Sequence, residues 1–300
     1  MKLSLTEQEN PKTKRIDRVS TQKAIRLIND EDQLVASAIE STLSSIAETI
    51  DNIVDRLNTI GRLFYVGTGT SGRLGVLDAS EIPPTFGVSP EQIQGIIAGG
   101  YDALYMAVEA SEDDKNAGIK DLRGQNLRKD DAVIGIAASG NTPYTIGAVE
   151  YAKSIGCFTA CITCNPNSTI TQVVDIPIVA EVGPEVIAGS TRMKAGTAQK
   201  MILNMISTTV MIKLGYVKGN RMVNLKPKNA KLEERSLRIL TSESGLPLDE
   251  AKKLFHSAKK DLRIALVMNR SNVSTEMAET ALRETNFVIA EAVKRLDATI

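Results

Sequence analysis

One histidine stands in the 300 residues, His256, inside the charged run EAKKLFHSAKK. A lone imidazole in a helix-like, charged stretch argues against a Ser-His-Asp or Cys-His mechanism and against any multi-histidine metal site. Proton transfer, if this chain performs it, falls to carboxylates or lysines. Cysteine is also scarce. Three residues do not make a disulfide scaffold and suit a reducing compartment. Net charge is absent as well, with 36 basic residues against 36 acidic ones, so no general attraction to nucleic acid or an anionic membrane is expected. Long apolar runs are missing too. The opening MKLSLTEQENPKTKR lacks an apolar stretch of signal-peptide length, and MILNMISTTVMIKLG from Met201 is too short and too polar to span a bilayer. A cytoplasmic protein, with neither membrane nor nucleic acid as partner, is expected.

What is present is alternation. Residues 1–20 read as a polar arm. From Ser20 to Ile60 apolar residues recur at three- and four-residue steps, with Ser20 or Thr21 as a natural cap. The period then changes. Five near-continuous apolar runs follow: Arg62–Val66, Gln92–Ala98, Ala132–Ala138, Cys157–Thr163 and Ile176–Glu181. Such runs mark strands buried on both faces. Helical patterns at Ser71–Ser80, Tyr101–Ala110, Thr142–Ile155 and Ala195–Leu214 lie between or after them. The reading is α/β, a doubly wound parallel five-stranded sheet. From about Gly219 strand signals stop, and Asn229–Thr241, Leu248–Ser257 and Ser274–Arg295 read as helices. The expected organisation is a helical N-terminal segment over 1–60, a ligand-binding domain over 61–218 and a small helical C-terminal domain over 219–300.

Open parallel sheets bind ligands beyond the C-terminal strand ends. Three loops there are rich in glycine and hydroxyl groups: GTGTSGR (Gly67–Arg73), SGNTP (Ser139–Pro143) and GSTRMK (Gly189–Lys194). Each precedes or opens a helical pattern, and the free N–H groups and dipole of a helix start favour an anion. Together they read as a phosphate cradle. Gly67, Gly69 and Gly72 match G-x-G-x-x-G, but the next strand ends in Ala98-Gly99-Gly100 with no acid for a dinucleotide ribose. Gly72 is followed by Arg73 and Leu74, which excludes a Walker loop. The plainer alternative is that these glycines only permit tight turns. Cys161 and Cys164 form C-x-x-C, and with no second pair they read as buried small apolar residues.

Acids cluster after the first and second strands: Asp78, Glu81, Glu109, Glu112, Asp113 and Asp114. Any one of them is ordinarily a solvated charge. Glu81 stands out because it follows the helix opened by the first loop and precedes Ile82-Pro83-Pro84, which is expected to stop that helix. An apolar neighbourhood there would favour the protonated acid.

The run VGTGTSGRLGVLDASEIPPTFG, with IAGGYDALYMAVEASEDD, VIGIAASGNTPY, CNPNS, GSTRMKAGTAQKMILNMIST, KGNRMVNLKPKNAKL and the earlier IDRVSTQKAIRLINDED, resembles the sugar isomerase (SIS) fold as found in N-acetylmuramic acid 6-phosphate etherases. The resemblance covers nearly the whole chain. Its departures are Thr68, where Ala is common, and Asn224, where Asp is common. It implies a flavodoxin-like SIS domain and a lyase, without cofactor or metal, acting on a small phosphosugar. The lyase would cleave the lactyl ether of N-acetylmuramate 6-phosphate in cell-wall sugar recycling, generally as a homodimer. Glu81, in LDASE, matches the family's proton donor, and Glu112, in VEASED, its second acid/base. Thr70, Ser71, Ser139, Asn141, Thr142, Ser190 and Thr191 match substrate-binding positions, while Lys194 and Arg192 either bind substrate or form structural salt bridges. Two alternatives share the fold: a sugar-phosphate isomerase, which needs no acid for a leaving ether, and a non-catalytic sugar-phosphate sensor resembling the glucokinase regulatory protein.

Overall fold

The computed structural model describes residues 3–106, 108, 112–224, 230–285 and 287–298. Its contacts divide the chain into two compact units, Met1–Ser80 with Pro90–Ser207, and Glu81–Ser89 with Thr208–Ile300.

The first unit begins with the arm. Single 3-10 turns at Leu5–Glu7 and Ile16–Arg18 punctuate it, and Thr6, Asn10 and Thr13 are buried although polar. The helical stretch that follows is three helices, α1 (Thr21–Asp32), α2 (Leu34–Glu40) and α3 (Leu43–Leu57). Ser20 caps α1 by accepting a hydrogen bond from the Lys23 N–H. Ile46, Ile50, Ile53 and Leu57 recur along α3 and are all buried.

The sheet has five strands, β1 (Leu63–Gly67), β2 (Ile93–Ile97), β3 (Ala132–Ile136), β4 (Phe158–Thr163) and β5 (Ile176–Val179). All neighbours are parallel, in the order β2-β1-β3-β4-β5. This is the doubly wound, flavodoxin-like arrangement expected. Burial follows position: β1, β3 and β4 are buried throughout, while the edge strands β2 and β5 are partly open. Strand order reverses between β1 and β3. Their C-terminal ends, Gly67 and Ile136, are paired in register and lead into the first and second glycine-rich loops. In folds of this kind that switch point is where a ligand sits.

The connecting helices are α4 (Gly69–Phe86), α5 (Lys115–Gly124), α6 (Pro143–Ile155) and α7 (Lys194–Lys213). Two expectations need correction here. The helix expected over Tyr101–Ala110 is only a 3-10 turn, Tyr101–Leu104, within the described residues. Gly99 and Gly100 enter it at positive φ, and the carbonyls of Leu104 and Met106 accept hydrogen bonds from the Arg73 guanidinium. The crossover helix is instead α5, capped by Asp114, whose carboxylate accepts from the N–H groups of Asn116 and Ala117. Its sequence has few apolar residues because α5 approaches α6 backbone to backbone. A Cβ on Gly118 would lie 2.1 Å from the Tyr144 carbonyl oxygen, and one on Gly147 would lie 2.4 Å from that of Lys115.

The second correction concerns Ile82-Pro83-Pro84. The prolines do not stop α4, which runs to Phe86. They remove only two backbone donors near its end, while Ala79, Ile82 and Phe86 stay buried. Gly87, at φ +67°, closes the helix, and Asn224 donates to the Phe86 carbonyl at 2.6 Å. An ionised aspartate at 224 has no proton for that bond.

Among its described residues the second unit is helical apart from a hairpin of β6 (Val217–Lys218) and β7 (Arg221–Met222). Its helices are α8 (Ala230–Ser244), α9 (Leu248–Ser257), α10 (Leu262–Ser271), α11 (Thr275–Glu284) and α12 (Ile289–Asp297). α10 has no counterpart in the sequence reading. Its first six residues, Leu262 to Val267, are all buried, Arg263 among them, so burial there does not follow an alternation of apolar and polar residues. The stretch read as one helix over Ser274–Arg295 breaks between α11 and α12, where Phe287 has φ +63°. Among the described residues no helix is long and apolar enough to cross a membrane.

Candidate active site

The first loop turns sharply from β1 into α4. Gly67 and Gly72 serve the close approach: a Cβ on Gly72 would stand 2.6 Å from the Gly67 carbonyl oxygen, and one on Gly67 would stand 2.8 Å from that of Ile136. Gly69 opens α4 at φ +48°, a conformation suited to glycine. A Cβ there would meet Glu112 Oε1 at 3.2 Å. The Glu112 carboxylate therefore lies against the first loop. Its backbone carbonyl accepts the Tyr144 N–H at 3.1 Å, which ties it to the first turn of α6 behind the second loop. Glu112 thus joins two of the three loops.

The third loop joins at Gly196 of α7. That residue's Cβ direction faces the Thr70 methyl at 3.4 Å, and its N–H donates to the Thr191 carbonyl at 3.0 Å. Ser71, buried, donates its hydroxyl to Gln199 Oε1 at 3.0 Å. The Gln199 amide nitrogen is buried and unpartnered among the described groups. Sequence reasoning passed over Gln199. Its only signal is a long polar side chain among the small residues of KAGTAQK.

In the second loop Ser139 Oγ accepts the Asn141 N–H at 3.2 Å, and the Asn141 amide donates to the Ser139 carbonyl. The Asn141 carbonyl oxygen accepts from both the N–H and the hydroxyl of Thr169. Asn141 is therefore engaged inside the loop. Gly140 leaves no room for a side chain, since a Cβ would fall 2.0 Å from Ser168 Oγ. Thr142 occupies the N-cap of α6 yet makes no side-chain cap, and Pro143 takes the first helical position. Ser190 and Thr191 are half-buried in the third loop, and Arg192 is exposed beside them.

Lys194 has its Nζ 2.7 Å from Glu31 Oε2, with both side chains almost fully buried (1% and 3% exposed). Of the two roles open to it in the sequence, the structure displays the salt bridge. Burial alone would raise the Glu31 carboxyl, but hydrogen bonds from Lys194, Lys12 and Asn10 outweigh it and hold the pKa below the usual range. Glu185 accepts the N–H groups of Lys194 and Ala195, each at 2.9 Å, at the start of α7. The arm completes this support. Asn10 donates to Glu31, Thr13 to the Val186 carbonyl, and Gly189 to the Thr6 carbonyl. Thr6 and Asn165 bond each other, and Asn165 also donates to the Ser139 carbonyl. Residues read from sequence as a polar arm therefore brace both the second and third loops.

Among the acids, Asp114 is a helix cap and Asp113 is exposed. Asp78 is buried, accepting from Asn204 at 2.7 Å and Ser207 at 3.2 Å. Burial raises its pKa despite these donors. Glu81 is exposed on α4 rather than enclosed by apolar groups. Glu109 lies outside the described residues. The three cysteines are free and buried, and burial pushes Cys161 and Cys164 up to about 12. They are thiols at neutral pH, as expected of small apolar residues.

Comparison with known proteins matches residues 45–153 to the glucokinase regulatory protein N-terminal SIS domain and residues 106–208 to the SIS domain. An N-acetylmuramic acid 6-phosphate etherase of Clostridium beijerinckii is 48% identical over 292 residues, 97% of this chain and 96% of the relative. One of Caldanaerobacter subterraneus subsp. tengcongensis is 50% identical over 293 residues, covering 98% and 96%. The solved phosphoheptose isomerase of Neisseria gonorrhoeae superposes with a TM-score of 0.50 at 16% identity, over 64% of this chain and 98% of that one. It shares the fold.

Proposed function

The chain belongs to the N-acetylmuramic acid 6-phosphate etherase family, and from that premise we propose how its residues divide the work. The enzyme is a carbon–oxygen lyase that releases D-lactate from N-acetylmuramate 6-phosphate and leaves N-acetylglucosamine 6-phosphate. With the sugar ring open, the C1 aldehyde acidifies the C2 proton. Glu112 takes that proton as base. The electron pair forms the C2–C3 double bond, the C3–O bond breaks, and Glu81 protonates the departing lactate oxygen. Water then adds at C3 and a proton returns to C2, with the carboxyls reversing roles. Each acid–base contribution is worth about 10²–10⁴ in rate.

The observation that carries this reading is the Glu112 carboxylate set against Gly69, where the first loop opens α4. A phosphate on the loop hydroxyls and helix-start N–H groups would hold the reacting carbons near that carboxylate, and its remote binding energy would orient the open sugar. We assign Thr70, Ser71, Ser139, Thr142, Ser190 and Thr191 to the phosphosugar, with Asn141 shaping its loop. Gln199 offers a buried N–H to a substrate oxygen beside Ser71. Lys194 serves by holding the third loop through Glu31. Residues 1–60, 61–218 and 219–300 remain our division into N-terminal segment, SIS domain and helical C-terminal domain. The enzyme acts in the cytoplasm as a homodimer, in peptidoglycan recycling.

The relatives at 48–50% identity over essentially their whole length favour the etherase over the isomerase or sensor readings. The direct test is incubation of purified protein with N-acetylmuramate 6-phosphate, without added metal or nucleotide, followed by D-lactate assay. Stoichiometric D-lactate and N-acetylglucosamine 6-phosphate are expected. A keto-sugar phosphate with no lactate would point to the isomerase instead.

A further inference from the structure

Three cations pair with one carboxylate in the second unit. Lys218 and Arg221 come from the β6–β7 hairpin, and Arg270 from α10. All three form ion pairs with Glu243 of α8, Arg221 at 3.2 Å and Arg270 at 3.3 Å. Two further arginines, Arg235 and Arg238, stand one turn apart on α8. Neither has an ion pair among the described residues. With Arg221 they line a cavity of about 300 Å³. Asn220 and Ser242 add an amide and a hydroxyl, Met222 and Ile239 supply an apolar wall, and no carboxylate lines it. Of the two acids at the start of α8, Glu233 is paired with Lys260 at 3.0 Å, and Glu233 and Glu234 border the adjoining groove that Arg238 also touches.

In a chain of zero net charge this is a concentrated positive excess. Guanidinium groups crowded together repel one another, and a multivalent anion among them relieves that repulsion. The guanidinium fork matches phosphate oxygens in paired hydrogen bonds. A phosphate monoester presents three terminal oxygens to three such forks, whereas a carboxylate presents two. A concave site at the small end of ligand-pocket volumes admits a phosphate with a few attached carbons rather than a polymer. The apolar wall suits those carbons.

We propose that the cavity bounded by Arg221, Arg235 and Arg238 is a binding site for the phosphate group of a small metabolite. The proposal does not rest on the function assigned to the strand-end loops.

The loops would themselves take up phosphate, so the test must be resolved by residue. Side-chain Nε–H signals of the full-length protein, assigned by single Arg→Lys changes, are followed by NMR during titration with inorganic phosphate. Parallel titrations use N-acetylglucosamine 6-phosphate and, at matched ionic strength, sodium chloride. Saturable shifts at Arg221, Arg235 and Arg238 with a millimolar or tighter Kd are expected for phosphate and not for chloride. The combined R235Q/R238Q change should weaken binding at this site by about tenfold or more, and R235K/R238K by less, because lysine keeps the charge without the fork. A stronger response to the phosphosugar would identify an organic phosphate as the occupant, and equal responses would identify the free ion. Shifts absent for both phosphates, or reproduced by chloride, would overturn the proposal. So would unchanged phosphate affinity at Arg221 in a folded R235Q/R238Q variant.

Discussion

Two side chains separate the chemistry of leaving from the chemistry of holding. Glu81→Gln keeps the shape but loses the transferable proton, so D-lactate release should collapse while exchange of the C2 proton with deuterated solvent persists. Undiminished lactate release would remove Glu81 from the mechanism. Ser139→Ala should raise KM for the phosphorylated substrate roughly fivefold to a hundredfold, as loss of a hydrogen bond to a charged group does, and weaken the unphosphorylated sugar less. Equal losses for both, measured by steady-state kinetics and competition binding, would mean that Ser139 does not hold phosphate. Much at this scale was legible, because Glu112 and the hydroxyl-rich loops stand in recognisable motifs. Lys194 shows the limit. A lysine ending GSTRMK looks the same in sequence whether its ammonium meets a ligand or, as the structure has it, a buried Glu31 from 163 positions away.

At the scale of elements, the arm and α1 act on the third loop through one ion pair. Glu31→Gln leaves Lys194 as an uncompensated buried cation and should cost about 3–5 kcal/mol of stability at neutral pH. The sign of the pH effect follows from its lowered pKa. The unfolded chain takes up the proton first as pH falls, so the stabilisation is present above the ordinary value of 4.5 and is lost as pH drops through the folded value. Urea unfolding across this acid range should therefore show a shallower pH dependence for the variant. A slope equal to that of the wild type would contradict the pairing. The α5–α6 contact gives a second test. Gly118→Ala drives a Cβ toward the Tyr144 carbonyl and should destabilise by about 1–3 kcal/mol despite alanine's better helix propensity. A rise in the unfolding midpoint would show that the helices do not approach as described. That approach also explains why α5 was hard to see, since glycine at a backbone contact removes the apolar side chains from which a helical period is read. α10 was hidden for a different reason, because its buried first six residues include a charged one, Arg263, and so show no simple apolar period.

For the whole molecule, the proposed homodimer predicts sedimentation at twice the 32.4 kDa chain mass at micromolar concentration. A single species at the monomer mass would exclude it. The balance of 36 basic and 36 acidic residues also takes on a different meaning at this scale. Zero net charge gave no reason to expect a general affinity for polyanions, yet it concealed the grouping of Arg221, Arg235 and Arg238 at one cavity. A sum over residues carries no information about where the chain brings them.

The sequence alone determined the alternation of strand and helix, the parallel sheet and the glycine–hydroxyl turns at its strand ends. Each of these is a local or periodic property, set by burial on two faces or by the conformations a short loop permits. Tertiary structure decided which polar groups are partners. It bound Asn10, Glu31 and Lys194 together, placed Asn165 between Thr6 and Ser139, and carried α4 through two prolines. Those outcomes depend on what surrounds a group after folding. A buried charge or amide takes the partner that desolvation forces on it, and that partner comes from wherever the fold brings the chain.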